Sequence, residues 1–557
     1  MLSAMQMRGR LVMGILLATA VLTGCERRGG CTGSYCGTLV MAAIGEPGTL
    51  LPASTNEAVT RDIAEQVFLK LADVGMSLNT IGDEDFQPLL AERWEWDGPL
   101  TLVFHIDPRA RWHDGERVTS ADVAFTFDAY TDSTVASPAR SALRRVASVT
   151  PRDSLTAVFR FRERYPEMFY DAVYHMRILP AHLLKAEPRE QWKSSAFGRR
   201  PVGNGPYRFV SWRAAEAIEL AADSTFFLGR PGIRRLIWRF TPDMQVAVTQ
   251  LLANQADVRE QVTGPENLER LRTAQDLTLV PYRGNTYGFL GFNLAANSNP
   301  GGAAPHPILG DREVRRALTM AVDRAKLVKS VLGDFGRVPP GPMSMIYWIW
   351  DPEMRQLPYD TVQAGRLLGV RGWRDHDGDG IRDRDGQPLA FHVLVPTTSA
   401  VRRQFSRLLQ QEFRAVGVQM EIDEVENSVV GQRVTSGKFD AVMLAFINDP
   451  SPISGLPQFW TRAGQNNFLH YYDPAFERYV ERATAAPTRE AARPLWRGAI
   501  EIINADAPGV WLFALENVAA VHSRVENVQI RPDSWAALLR TWRIPSDRLI
   551  DRDRVER

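Results

Sequence analysis

The chain has 557 residues, and Lys+Arg 66 against Asp+Glu 65 leave a formal net charge of +1. Hydrophobic residues at 45% and charged residues at 24% are ordinary globular values, which exclude global disorder and fibrous architectures. Six of the basic residues are Lys and the rest Arg; with as many acids and no basic cluster standing alone, nucleic acid is excluded as the natural partner.

Arg8 and Arg10 precede Leu11 to Gly24, an uncharged and mostly apolar run of 14 residues. A spanning helix needs roughly 20, so residues 1–24 fit a signal peptide better than a membrane anchor. The run ends Leu22-Thr23-Gly24-Cys25, which resembles a bacterial lipobox in which the Cys25 thiol receives diacylglycerol. More than one acyl chain suffices for stable anchoring, so the expectation is an exported protein tethered to a membrane through residues 25–37. Cys31 and Cys36 sit close together in a Gly-rich stretch, and in an oxidising compartment a local disulfide is expected. All three cysteines precede the folded body, which argues against a catalytic thiol.

Thr38 to Ile44 reads as a strand. Glu57 to Leu71 follows as a helix, with Val59, Ile63, Val67 and Leu71 recurring every fourth residue. Thr119-Ser120-Ala121-Asp122 has the form of a capping box and opens a helix through Tyr130. Ala157 to Phe161, Tyr207 to Trp212 and Leu236 to Phe240 read as further strands. Asp311 to Ala321 and Asp323 to Leu332 read as paired helices. Phe391 to Val395 is a strand, and Val401 to Val416 a helix with Phe405, Leu409 and Phe413 on one face, stopped by Gly417. Val418 to Ile422 and Ala441 to Phe446 are strands flanking a helix near Asn427 to Ser436. Helices from Asp473 and Thr488 lead into a strand pair, Val510 to Phe513 and Val518 to Val521. This β-α-β alternation predicts an α/β fold, in two lobes rather than four beads.

Enzyme signatures are missing from the sequence: no G-x-S-x-G elbow, H-E-x-x-H helix or Walker loop occurs. His113 has no second His at metal-ligand spacing and reads as a turn residue. Asp375, Asp377, Asp379 and Asp383 form a D-x-D-x-D-G stretch with oxygen ligands at alternate positions, as calcium loops do. Gly386 stands where an EF-hand places its bidentate Glu, and Asp-Gly repeats also make hairpin turns without an ion. Beyond such a structural calcium, no cofactor is expected.

Several separated motifs together resemble the bacterial extracellular solute-binding proteins, family 5, the dipeptide and oligopeptide binders of ABC importers. They are Glu46-Pro47-Gly48-Thr49-Leu50-Leu51-Pro52, Leu90 to Glu95, Arg111 to Val123, Gly203-Asn204-Gly205-Pro206-Tyr207, Phe292-Asn293, and Asp311 to Leu318 with Ala321 to Arg324. The resemblance implies a two-lobed periplasmic binding protein-like fold of the enlarged peptide-binding type. Residues 38–285 with 511–557 would form one lobe and 286–510 the other. It implies a monomer that closes on a ligand and hands it to an ABC permease, without being an enzyme.

The resemblance also implies the site. In relatives a W-x-x-D aspartate pairs with the peptide's ammonium group; here the matching stretch is Phe446-Ile447-Asn448-Asp449. Asp449 is the expected amine anchor, Phe446 an aromatic wall, and Asn448 and Trp460 neighbours of the ligand. Glu46 would reach the ligand backbone from the first lobe. Relatives also bind nickel complexes, haem, opines or sugars, so a non-peptide ligand stays open, and a surface hydrolase is the reading from another class.

Overall fold

The computed structural model describes residues 36–55, 57–296 and 304–554. The expected signal segment, Cys25 and Cys31 lie outside the described residues. Cys36 is disulfide-bonded, and its partner lies outside them too.

Among the described residues, one 11-stranded sheet runs through the molecule. On one side the parallel pair Ala390–Pro396 and Gln419–Val425 joins Ala441–Ile447. On the other, Cys36–Ala43 runs parallel to Ile233–Phe240, followed by the antiparallel Ala217–Ala222 and Tyr207–Arg213. Two long strands, Leu277–Phe292 and Gly509–His522, connect the halves. They pair from Leu277↔His522 to Arg283↔Glu516, slip, and resume at Tyr287↔Ala514. Gly284 sits in this irregularity, where a Cβ would lie 2.2 Å from the Leu515 carbonyl oxygen, so only glycine lets the strands approach there. A separate four-stranded antiparallel sheet, Ala91–Trp96, Thr101–Ile106, Thr156–Phe161 and Val146–Pro151, belongs to the N-terminal half.

Alternating or continuous apolar patterns explain most strands. Leu39, Met41, Leu220, Leu236 and Trp238 are buried in one core, and Phe391, Val393, Phe405, Leu409 and Phe413 in another. Asp311, Asp323, Ser399, Asp473 and Thr488 each cap a helix by accepting a backbone N–H. At Thr119 the Asp122 carboxylate accepts both the Thr119 N–H and its hydroxyl, opening the helix Ser120–Thr131.

Three elements differ from the sequence reading. The first strand is Cys36–Ala43, so Cys36 and Gly37 belong to the sheet and not to the expected tether 25–37. The first helix is Ala58–Val67 and stops four residues short of Leu71. The loop Gly203-Asn204-Gly205 ends it: the Asn204 and Gly205 N–H groups donate to the Val67 carbonyl, and Asn204 Oδ1 accepts from the Leu69 N–H. The expected pair Val510 to Phe513 and Val518 to Val521 is the single strand Gly509–His522, because the residues between keep pairing, in part with Gly336–Arg337.

Candidate functional site

The strand Ala441–Ile447 delivers Asn448 and Asp449 to the seam between the halves, just before Pro450 and the helix Pro452–Trp460. The Asn448 N–H donates to the Asn285 carbonyl at the strand irregularity (2.9 Å), which ties this loop to the crossing strands. Asp449 Oδ1 accepts from the Ser451 N–H (2.9 Å), and its carboxylate also receives the Ser454 hydroxyl. Ser451 caps the helix by accepting the Ser454 N–H at 3.0 Å.

The N-terminal half faces this loop with Tyr165-Pro166-Glu167-Met168-Phe169-Tyr170-Asp171 and His175 on and around the helix Met168–Tyr174. Glu167 is buried, and its two carboxylate oxygens each lie 2.7 Å from the donating Ser451 hydroxyl. Asp171 accepts the Tyr165 hydroxyl (2.8 Å) and lies 3.3 Å from His175. The halves also meet where Trp348 Nε1 donates to Thr80 Oγ1 at 3.3 Å.

The electrostatics are one-sided. Burial pushes Glu167 well above the usual carboxylate range, and Asp171 and Asp449 push it further, against the hydrogen bonds from Thr80 and Ser451. Burial likewise raises Asp449, with His175 and the Ser451 N–H only partly offsetting it. Around them Asn448 Oδ1 and the Tyr170 hydroxyl are buried without a hydrogen-bond partner, and the Tyr347 hydroxyl is buried beside the Asn448 amide. Both tyrosines lie in the field of Asp449 and Glu167. Oxygen acceptors thus converge here with too little positive charge, which suits a cationic group with several N–H donors.

The other expected residues are placed differently. Phe446 stacks on Phe459 at 4.0 Å and meets Tyr287 and Phe289 edge-on, forming an aromatic wall beside the Asn448 loop. Trp460 is buried between Phe289 and Trp511, packed as core rather than presented to a cleft. Glu46 accepts from Trp212 Nε1 (2.7 Å), the Ala215 N–H (2.9 Å) and Arg199 (3.5 Å). The Ala215 N–H leads the lowering of its pKa. Asp375, Asp377 and Asp379 are exposed and bring ligand atoms within 4.8 Å of one another. Asp383 is instead engaged by the His376 N–H and ring.

Sequence reasoning missed Glu167, Tyr170 and Tyr347. The clustering of acids and aromatics from Tyr165 to His175 was the available signal for the first two; Tyr347 lies in an irregular segment and had none. A second acidic pair was missed as well. Asp62 and Glu260 are both raised, chiefly by burial, and line a notch with Trp238 at the end of the first strand. The Arg402 guanidinium donates to the Met443 carbonyl at 3.4 Å.

Among the described residues, no helix is long and apolar enough to cross a membrane. The oligopeptide-binding protein AppA of Bacillus subtilis is 26% identical over 510 residues, covering 89% of each chain. Its structure with a nonapeptide matches with a TM-score of 0.73 at 23% identity, over 92% of this chain and 100% of that one. NikZ from Campylobacter jejuni, solved with Ni(L-His), matches with a TM-score of 0.71 at 23% identity, over 91% and 99%. The architecture is therefore the two-lobed α/β fold of periplasmic binding proteins. The model for bacterial extracellular solute-binding proteins, family 5 (middle), matches residues 85–468, and the chain belongs to that family.

Proposed function

We propose that the protein captures peptides between its two lobes and delivers them to an ABC permease. Its lobes are 38–285 with 511–557 and 286–510, hinged where the crossing strands slip at Gly284 to Thr286 and Leu515. The observation that carries the reading is the surplus of oxygen atoms at the seam: the carboxylates of Asp449 and Glu167, with Asn448 Oδ1 and the Tyr170 hydroxyl unpartnered. A peptide's terminal ammonium brings three donors and a positive charge to this position. The 26% identity to an oligopeptide-binding protein along 89% of the chain supports peptide as the ligand class. Arg402, whose charged form burial disfavours, is suited to the peptide's carboxylate, because no acidic partner engages it among the described residues.

Calorimetry on protein lacking residues 1–25, with a peptide mixture, tests the reading. Heat of binding is expected, and mass spectrometry of ligand co-purified from the native host should return peptides. No heat together with a co-purified metal complex would replace peptide by that ligand.

We also propose that Cys25 carries the lipid and that the residues between it and the first strand, which begins at Cys36, hold the lobes off the membrane. Labelled fatty acid should be incorporated into the full chain and not into Cys25→Ser; label retained by that variant would discard the anchor.

A further inference from the structure

We infer that Glu167 is a specificity-determining residue that makes closure of the lobes conditional on a cation at Asp449. This rests on the reading that Asp449 holds a ligand ammonium.

Glu167 belongs to the N-terminal half and Ser451 to the other, yet the Ser451 hydroxyl donates to both Glu167 oxygens at 2.7 Å in a buried position. Ser451 is the cap of the helix Pro452–Trp460, and its oxygen simultaneously accepts the Ser454 N–H. Glu167 therefore docks one lobe onto the N-terminal end of a helix in the other, a favourable place for negative charge. The same closure crowds carboxylates. From its own lobe Glu167 faces Asp171, with Tyr165, Tyr170 and Thr80 beside it. From the opposite lobe it faces Asp449, Ser451 and Tyr347. The basic side chain beside these groups is His175, 3.3 Å from Asp171 and in the field of Asp449. Docking is thus favourable hydrogen by hydrogen and unfavourable charge by charge. A ligand cation relieves the repulsion, and without one a proton must do so.

The sign follows. Glu167 and Asp449 are raised in this closed arrangement by burial first, so the closed form binds more protons than an open form that exposes them. Closure of the empty protein is favoured at low pH and lost as pH rises above the ordinary carboxylate values. Glu167→Gln keeps an acceptor for Ser451 and removes the charge; Glu167→Ala removes both.

Two measurements test this. Small-angle scattering of the empty protein between pH 4 and 8 should show the radius of gyration growing with pH in the wild type. Glu167→Gln should be compact over more of the range and Glu167→Ala open throughout. Calorimetry with a free-amine tripeptide and its N-acetyl form should show a wild-type preference of roughly 100-fold, within the range of measured couplings. That preference should shrink to about tenfold in Glu167→Gln, while Glu167→Ala should lose affinity for both peptides. A wild-type pH response unchanged in Glu167→Gln, or an undiminished preference for the free amine, would overturn the inference. If neither peptide binds the wild type, the peptide reading falls and the scattering arm still decides the latch.

Discussion

Two buried clusters of charge in this protein have opposite character. Around Arg531, which is fully buried, Asp73 and Asp533 accept at 2.5 and 2.6 Å and Glu65 lies at 3.9 Å. There burial pushes Asp73 and Glu65 up, but the neighbouring cations outweigh it and both end below their ordinary values. Around Asp449 burial pushes the carboxylates up and no cation outweighs it. Both clusters are desolvated, and only one carries its own counter-charge. The first is complete as it stands and reads as architecture, whereas the second, on the proposed reading, is completed by a ligand cation.

The largest expected effect attacks the first cluster. Arg531→Met should destabilise the fold by about 3–5 kcal/mol, the range for removing one partner of a buried ionic group. Denaturant unfolding measures it; a loss below about 1 kcal/mol would mean that the knot is no better compensated than the seam. Asp449→Asn attacks the second cluster and should do the reverse. Unfolding stability should hold or rise, while peptide affinity falls by about 1.5–3 kcal/mol, the value of a hydrogen bond to a charged group. If that variant unfolds early and binds normally, the two clusters have been assigned the wrong way round.

pH separates them without mutation. Asp73 and Glu65, lowered in the folded state, contribute stability present above the ordinary carboxylate values and lost as pH falls through their depressed ones. Glu167 and Asp449, raised in the folded state, contribute stability present below the ordinary values and lost as pH rises through their elevated ones. Comparing unfolding curves of Asp449→Asn and wild type from pH 4 to 7 should show the variant's relative advantage growing with pH. A constant difference would sink the distinction.

This contrast was half legible in the sequence. Asp449 could be found because it follows an apolar strand and precedes Pro450 in a stretch that resembles a known segment. The strands and capped helices were legible for the same local reason, since periodicity and a capping residue act within a few positions. Glu167 was not, because what places it at the seam is Ser451, 284 positions away. The Arg531 knot is equally non-local, joining residues separated by 458 positions to Asp73. Trp460 was misleading in the opposite sense: an aromatic near the site by sequence packs inward against Phe289 and Trp511. The continuity of Gly509–His522 was hidden because Glu516 and Asn517 in its middle break the apolar run while keeping the backbone pairing.

The smallest expected effect concerns Glu46, where carboxylate chemistry is satisfied at the surface of one lobe. Its oxygens already receive Trp212 Nε1, the Ala215 N–H and Arg199, and the Arg199 guanidinium lies over the Trp212 ring at 3.9 Å. These donors hold the charged form, as its lowered pKa reflects. Glu46→Gln keeps one oxygen acceptor and loses the charge, so it should cost about 0.5–1.5 kcal/mol of stability and shift peptide affinity by less than about tenfold. A larger loss of affinity in calorimetry would show that the ligand competes with Trp212 and Ala215 for the carboxylate. Counter-charge within one lobe would then not be enough to retire an acid from binding, and the division drawn between the Arg531 and Asp449 clusters would need a further criterion, namely whether the compensating donors can be displaced.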